Sequence, residues 1–258
     1  MAIAVDDSTV AVTDLTTQVR PTTTSIGTTA SFTAPDNSLL VLCAINDTTA
    51  GSTPTPSVAN SGTGLTWSNQ VARGDSEGTG GFAVIYRALN ATSQSITVTV
   101  TLTGTGLLSA GQVRGKFKIY IVTGHHLTTP DGNVGENSST TNNITPTVYT
   151  SSADASRGFG CAEDWNARGV TTSTDTETDL ECAGFISGLS LYKAADTPTS
   201  GTGVTMNFDG NGSAATDWNW VAYEVVPAGG GAPPDSPPMN LAGCDQLAML
   251  WQFDGLLL

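Results

Sequence analysis

Apolar positions in this chain recur with a period of two. In SITVTVTLT, Ile96, Val98, Val100 and Leu102 alternate with hydroxylated residues, so an extended backbone has one apolar face and one polar face. KFKIYIV alternates in the same way, with Phe117, Ile119 and Ile121 opposite Lys116, Lys118 and Tyr120. Residues 218–226 divide into Trp218, Trp220, Ala222, Glu224 and Val226 on one face and Asn219, Val221, Tyr223 and Val225 on the other. Ser38–Ile45 is apolar on both faces, which predicts a central strand in a two-layer packing. Further strands are expected over Ala30–Thr33, Phe82–Leu89, Phe185–Tyr192 and Val204–Phe208. No long window repeats with a helical period. The pattern predicts an all-β, jelly-roll-like β-sandwich filling residues 1–226 as one domain, with Met1–Arg20 as an N-terminal arm. Between the strands lie long polar segments, Asp47–Gly64, Thr123–Thr147, Gly169–Leu180 and Asp209–Ala215. They are expected to form loops at the ends of the sandwich that serve as interaction surfaces.

The pattern breaks at Pro227. Residues 227–238, PAGGGAPPDSPP, read as a Pro/Gly linker. Residues 239–258 form an apolar tail, in which Leu247, Leu250, Trp251 and Leu258 approximate one helical face, interrupted by Gly243 and Gly255. Leu241, Phe253 and Leu256 add to its apolar content. The tail is too short to fold alone. Its apolar side chains therefore need a surface, either another chain or its own sandwich, and a flexible tether favours docking on another chain.

Composition narrows the function classes. Only 12% of the residues are charged, with 23 Asp+Glu against 9 Lys+Arg and a net charge of -14. That balance argues against a nucleic-acid binder, which needs a basic patch. The hydrophobic share of 38% is that of a folded chain. No apolar run is long enough to span a bilayer. The N-terminus lacks a basic and then apolar leader, so synthesis without export by the general route is expected. Four cysteines, Cys43, Cys161, Cys182 and Cys244, are widely separated and form no CxxC pair, which makes a zinc site unexpected. Cys43 reads as a buried small hydrophobe. Cys161 and Cys182 flank one loop; a bond between them is one option, and free thiols are the preferred one.

Candidate chemistry is sparse. His125-His126, with Asp131 or Glu136 nearby in sequence, is a candidate base or ligand pair, but adjacent residues on extended backbone point to opposite faces. Glu163-Asp164 before Trp165 is a candidate acid pair for glycoside hydrolysis, with no second acid fixed at working distance. Asp175, Glu177, Asp179 and Glu181 alternate and would share one face, a candidate calcium strip whose plainer reading is a solvated acidic loop. NFDGNGS, Asn207–Ser213, reads as a turn in preference to a calcium loop. Trp165, Trp218, Trp220 and Tyr223 are candidates for a sugar-stacking platform, with Trp67 a further ring that could supply an exposed pair, although tryptophans two apart on a strand more often pack in a core. Arg114, Lys116 and Lys118 read as an exposed basic row, either pairing with a neighbouring subunit or guarding an edge strand. No nucleophile elbow, HExxH or phosphate loop occurs. No catalytic, cofactor or metal residue is therefore assigned.

SFTAPDNSLLVLCAI, LTWSNQVARGDSEGTGGFAVIYRAL, FKIYIVTG and WVAYEVVPA together resemble a β-sandwich found in structural proteins of tailed bacteriophages and prophages. The resemblance covers roughly residues 30–227 and consists of strand-and-turn patterns without catalytic residues. It implies a non-enzymatic virion component: a minor tail, tail-tip or fibre-associated protein, or a capsid decoration protein. Such a protein would be made in the host cytoplasm and dock through its termini, the C-terminal tail and the arm Met1–Arg20, on other virion proteins and copies of itself. The alternative is a carbohydrate- or host-receptor-binding module with a host-surface glycan as ligand. Docking contacts are assigned to Leu241, Leu247, Leu250, Trp251, Phe253, Leu256 and Leu258.

Overall fold

The computed structural model describes residues 2–18, 24–49, 51–74, 80–104, 107, 111–141, 143–165, 175–182, 184–209 and 218–229. Its first strands are β1 (Ala4–Asp6), β2 (Thr13–Thr17), β3 (Thr24–Thr28), β4 (Phe32–Ala34), β5 (Ser38–Asn46), β6 (Thr55–Asn60) and β7 (Ser68–Gly74). There follow β8 (Phe82–Asn90), β9 (Gln94–Ile96), β10 (Val98–Thr103), β11 (Val113–Thr123), β12 (Asp131–Ser139), β13 (Asn143–Ile144) and β14 (Thr147–Thr150). The last are β15 (Arg157–Asp164), β16 (Thr176–Asp179), β17 (Ser187–Tyr192), β18 (Gly203–Thr205), β19 (Phe208–Asp209) and β20 (Trp218–Val225). No helix occurs among the described residues, and the all-β sandwich expected from the sequence is the fold.

The larger sheet has nine strands in the order β6-β10-β3-β2-β11-β5-β8-β7, with β1 added on β11. It curls into a half-barrel. Side chains from the β7 end of the sheet reach the β6 end: Tyr86 Oη donates to the Pro56 carbonyl at 3.0 Å, and Trp67 Nε1 donates to Asn60 Oδ1 at 3.1 Å. Inside the curl lie Leu40, Leu42, Val84, Phe117, Ile119, Val98, Val100 and Leu102, all buried. The second sheet, β12-β20-β15-β17-β16, packs on the opposite face. Leu39, Val41, Cys43 and Ile45 meet Phe159, Cys161, Val221 and Tyr223 there. Every residue of β5 is buried, as two-sided packing requires. Each large aliphatic side chain removed from water in this way contributes roughly 1.5–3 kcal/mol.

A third apolar layer covers the outer face of the second sheet. The two-stranded ribbons β13–β19 and β14–β18 bring Ile144, Val148, Val204, Met206 and Phe208 over Trp218, Trp220 and Ala222. The face division read from residues 218–226 thus appears directly, with Val221, Tyr223 and Val225 turned into the inter-sheet core.

Three expectations need correction. The segments read as loops contain the edge strands β6, β12 and β16, none of whose residues is fully buried. The N-terminal segment is seated on its own sandwich: β1 and β2 pair with β11, Ile3 is buried, and Lys118 Nζ donates to the carbonyls of Asp7 and Val10. Lys118 is accordingly buried, and Arg114 is paired with Asp47, so the exposed basic row does not form. The face that carries them is covered by the N-terminal segment and the second sheet.

Candidate functional site

Glu163 and Asp164 are consecutive on β15, which pairs with β20 and β17 along its length. Alternation sends their side chains to opposite faces, so they do not form an acid pair. Glu163 closes one end of the inter-sheet core. Its Oε1 accepts a hydrogen bond from Asn219 Nδ2 at 2.8 Å, and Asn219 also donates to the Gly80 carbonyl at 3.3 Å. Gly81 N donates to Thr48 Oγ1 at 2.8 Å. Gly81 has φ +99°, and a Cβ there would collide with the Glu163 carboxylate, so this close approach requires glycine. Both carboxylates are fully enclosed, which removes them from any substrate in bulk water. Glu163 and Asn219 join residues 80–81, just before β8, to the second sheet.

Glu224 performs the corresponding task near the opposite end of β20. Its carboxylate accepts from Ser151 Oγ at 2.8 Å, Ser152 N at 2.9 Å, Ser152 Oγ at 2.7 Å and Asn133 N at 2.8 Å. Burial alone would raise its pKa, but hydrogen bonds from Ser156, Asn133, Ser152 and Ser151 outweigh it and hold the carboxyl below its ordinary range. Beside it, Asp131 accepts from Arg87 Nε at 2.8 Å and from Tyr223 Oη at 2.7 Å, and it pairs with Arg87 Nη2. This two-pronged bond ties β8 of the first sheet to β12 of the second. Burial, reinforced by the bond to Asp131, pushes the Tyr223 hydroxyl well above its usual range. A third tie joins Arg114 to Asp47 at 2.6 Å, with the guanidinium 3.6 Å above the Phe185 ring. Burial raises the Asp47 pKa despite the opposing effect of Arg114.

The histidines diverge. The His125 ring is enclosed, and burial lowers its pKa. His126 Nδ1 instead accepts from Thr129 N at 3.1 Å within its own loop. Asp131 is committed to Arg87, and Glu136 lies 3.8 Å from Arg73, so neither serves the pair. The 124–126 backbone bonds the start of the linker, with His126 N to the Val226 carbonyl at 2.8 Å and Ala228 N to the Gly124 carbonyl at 2.7 Å.

The acidic strip is also divided: Asp175 pairs with Lys193 at 2.6 Å, and Asp179 accepts from Glu181 N at 2.6 Å. Among the described residues no group of three His, Cys, Asp or Glu side chains is placed to hold a metal. Of NFDGNGS, residues 210–213 lie outside the described residues. Trp218 and Trp220 are buried and Trp67 is half-buried, which leaves Trp165, 43% exposed, just after β15. Cys43, Cys161 and Cys182 are free and buried. Most of the linker and the contacts assigned to Leu241, Leu247, Leu250, Trp251, Phe253, Leu256 and Leu258 lie outside the described residues.

Sequence reasoning placed Glu224 on the correct face but missed its role. The available signal was a single carboxylate within the otherwise apolar WVAYEVV. The partners of Arg87 and Arg114 carried no such signal, because they are distant in sequence.

No family model, curated protein or solved structure matches this chain.

Proposed function

We propose that the chain is a non-enzymatic structural protein of a tailed-phage virion, either a minor tail, tail-tip or fibre-associated protein or a capsid decoration protein. In this reading it is made in the host cytoplasm and docks on other virion proteins and on copies of itself. The observation that carries the reading is the use of the polar residues. Glu163, Glu224 and Asp131 hold layers of the sandwich together, as do Asn219 and Arg87, while Arg114, paired with Asp47 inside the first sheet, meets the second through the Phe185 ring. Such a chain supplies a rigid frame and leaves recognition to its loops and tail. The N-terminal segment is occupied on its own sheet, so docking falls to residues 239–258. No helix among the described residues is long and apolar enough to cross a membrane.

Deleting residues 239–258 should leave a folded, soluble chain that no longer enters particles. Immunoblots of purified particles from cells expressing either form measure this, with circular dichroism confirming the fold. Normal incorporation of the truncated chain would refute the docking assignment.

Exposure of Trp165 favours a second reading, a module that binds host-surface glycan at that ring. One ring offers one stacking face, and Trp218 and Trp220 are committed to the core, so this reading ranks second.

A further inference from the structure

We propose that Cys43 and Cys161 are the two halves of an inter-sheet disulfide, formed when the chain folds in the presence of a small-molecule disulfide. Cys43 lies on β5, flanked by β11 and β8; Cys161 lies on β15, flanked by β20 and β17. Both side chains belong to the core between the sheets, and neither has any exposure. Each thiol is aimed at the backbone beside the other: Cys43 Sγ lies 3.9 Å from the Gly160 carbonyl, and Cys161 Sγ lies 3.5 Å from the Ala44 carbonyl. This reciprocal contact places the two cysteine side chains side by side in the core between the sheets.

The sheets are close at this point. A Cβ on Gly188, which pairs with Glu163 on β15, would collide with the Ile45 side chain across the gap. Small side chains on the facing strands permit a crosslink that sheets at the ordinary spacing of about 10 Å do not. The third described cysteine is placed differently. Cys182 Sγ lies 3.8 Å from the Leu180 carbonyl, and Cys182 helps line a cavity with Lys116 and Phe185.

The chemistry is thiol–disulfide exchange with oxidised glutathione as the two-electron acceptor. One thiolate attacks the glutathione disulfide, forming a mixed disulfide and releasing one glutathione. The second thiolate displaces the other glutathione and forms the protein S–S bond. Overall, two protein thiols lose two protons and two electrons, and two molecules of reduced glutathione appear. Burial pushes the Cys161 thiol well above its usual range, so the folded core holds almost no thiolate there. Exchange therefore belongs to the folding chain, before the sheets close. In a reducing cytoplasm the two thiols persist, as in the present structure.

The test refolds the full chain from denaturant, once in a mixture of reduced and oxidised glutathione and once in dithiothreitol. The oxidised product should lose the mass of two hydrogens and yield a crosslinked peptide pair containing residues 43 and 161. Because the closed loop holds roughly 120 residues, its Tm should rise by roughly 10 °C over the reduced form. The paired change of Cys43→Ala with Cys161→Ala should abolish the redox-dependent Tm difference, whereas Cys182→Ala should preserve it. A folded oxidised product with both thiols open to alkylation after denaturation would overturn the proposal, as would a map joining Cys161 to Cys182. If the paired variant fails to fold, the peptide map of the unaltered chain still decides.

Discussion

Glu224→Ala is expected to lower folding stability by about 4 kcal/mol, because it removes a fully buried carboxylate that several donors share and empties the space it fills. Ser151, Ser152 and Asn133 direct N–H and O–H groups at this one carboxylate, and of these only Ser151 Oγ has other acceptors within reach, the Ala153 carbonyl and Ser156 Oγ. Glu224→Gln retains the shape but sets an amide NH2 against donors, and about 2 kcal/mol is expected. Urea denaturation near neutral pH measures both. The carboxyl also makes stability depend on pH. Its folded pKa lies below the ordinary value of 4.5, so the unfolded chain binds the proton more readily. The contribution is complete above about pH 4.5 and is lost as pH falls from there through the folded pKa. The unaltered chain should therefore lose stability more steeply on acidification than Glu224→Gln. Equal slopes would remove Glu224 from its role as an ionised anchor.

Trp218→Ala should cost a similar amount, about 4 kcal/mol, through the cavity left in the outer core. Trp218 is fully buried beside Trp220, Ala222, Leu189 and Phe208, and its neighbours on two ribbons can relax only partly. Trp165→Ala, by contrast, should change stability by no more than about 0.5 kcal/mol. Chemical denaturation of the two variants distinguishes core from platform. If Trp218→Ala were neutral and Trp165→Ala costly, the assignment of both rings would be reversed.

The parts of the fold that could be read in the sequence are those where burial acts through side chains. The doubly apolar run Ser38–Ile45 became the fully buried β5, and the alternation in residues 218–226 predicted which side chains face each core. Edge strands escaped because their pairing is carried by the backbone and leaves no apolar alternation to read. β12, DGNVGENSS, has mostly exposed side chains and turn-forming residues, yet it is hydrogen-bonded along β20 from Asp131 to Ser139. The site was less legible than the fold. Two-residue patterns such as His125-His126 and Glu163-Asp164 attract attention in sequence, but extended backbone separates their members. The ties that do form, such as Arg87 to Asp131, join residues whose proximity depends on the sandwich being assembled.

In the proposed function, a rigid sandwich docks through its C-terminal segment on a neighbouring chain. A photocrosslinking amino acid placed at Trp251 of the full chain, irradiated in assembled particles and mapped by mass spectrometry, tests it most directly. Adducts to another virion protein or to a second copy are predicted, with isotope-labelled and unlabelled chains mixed to distinguish copies. Adducts confined to the chain's own sandwich would contradict the claim.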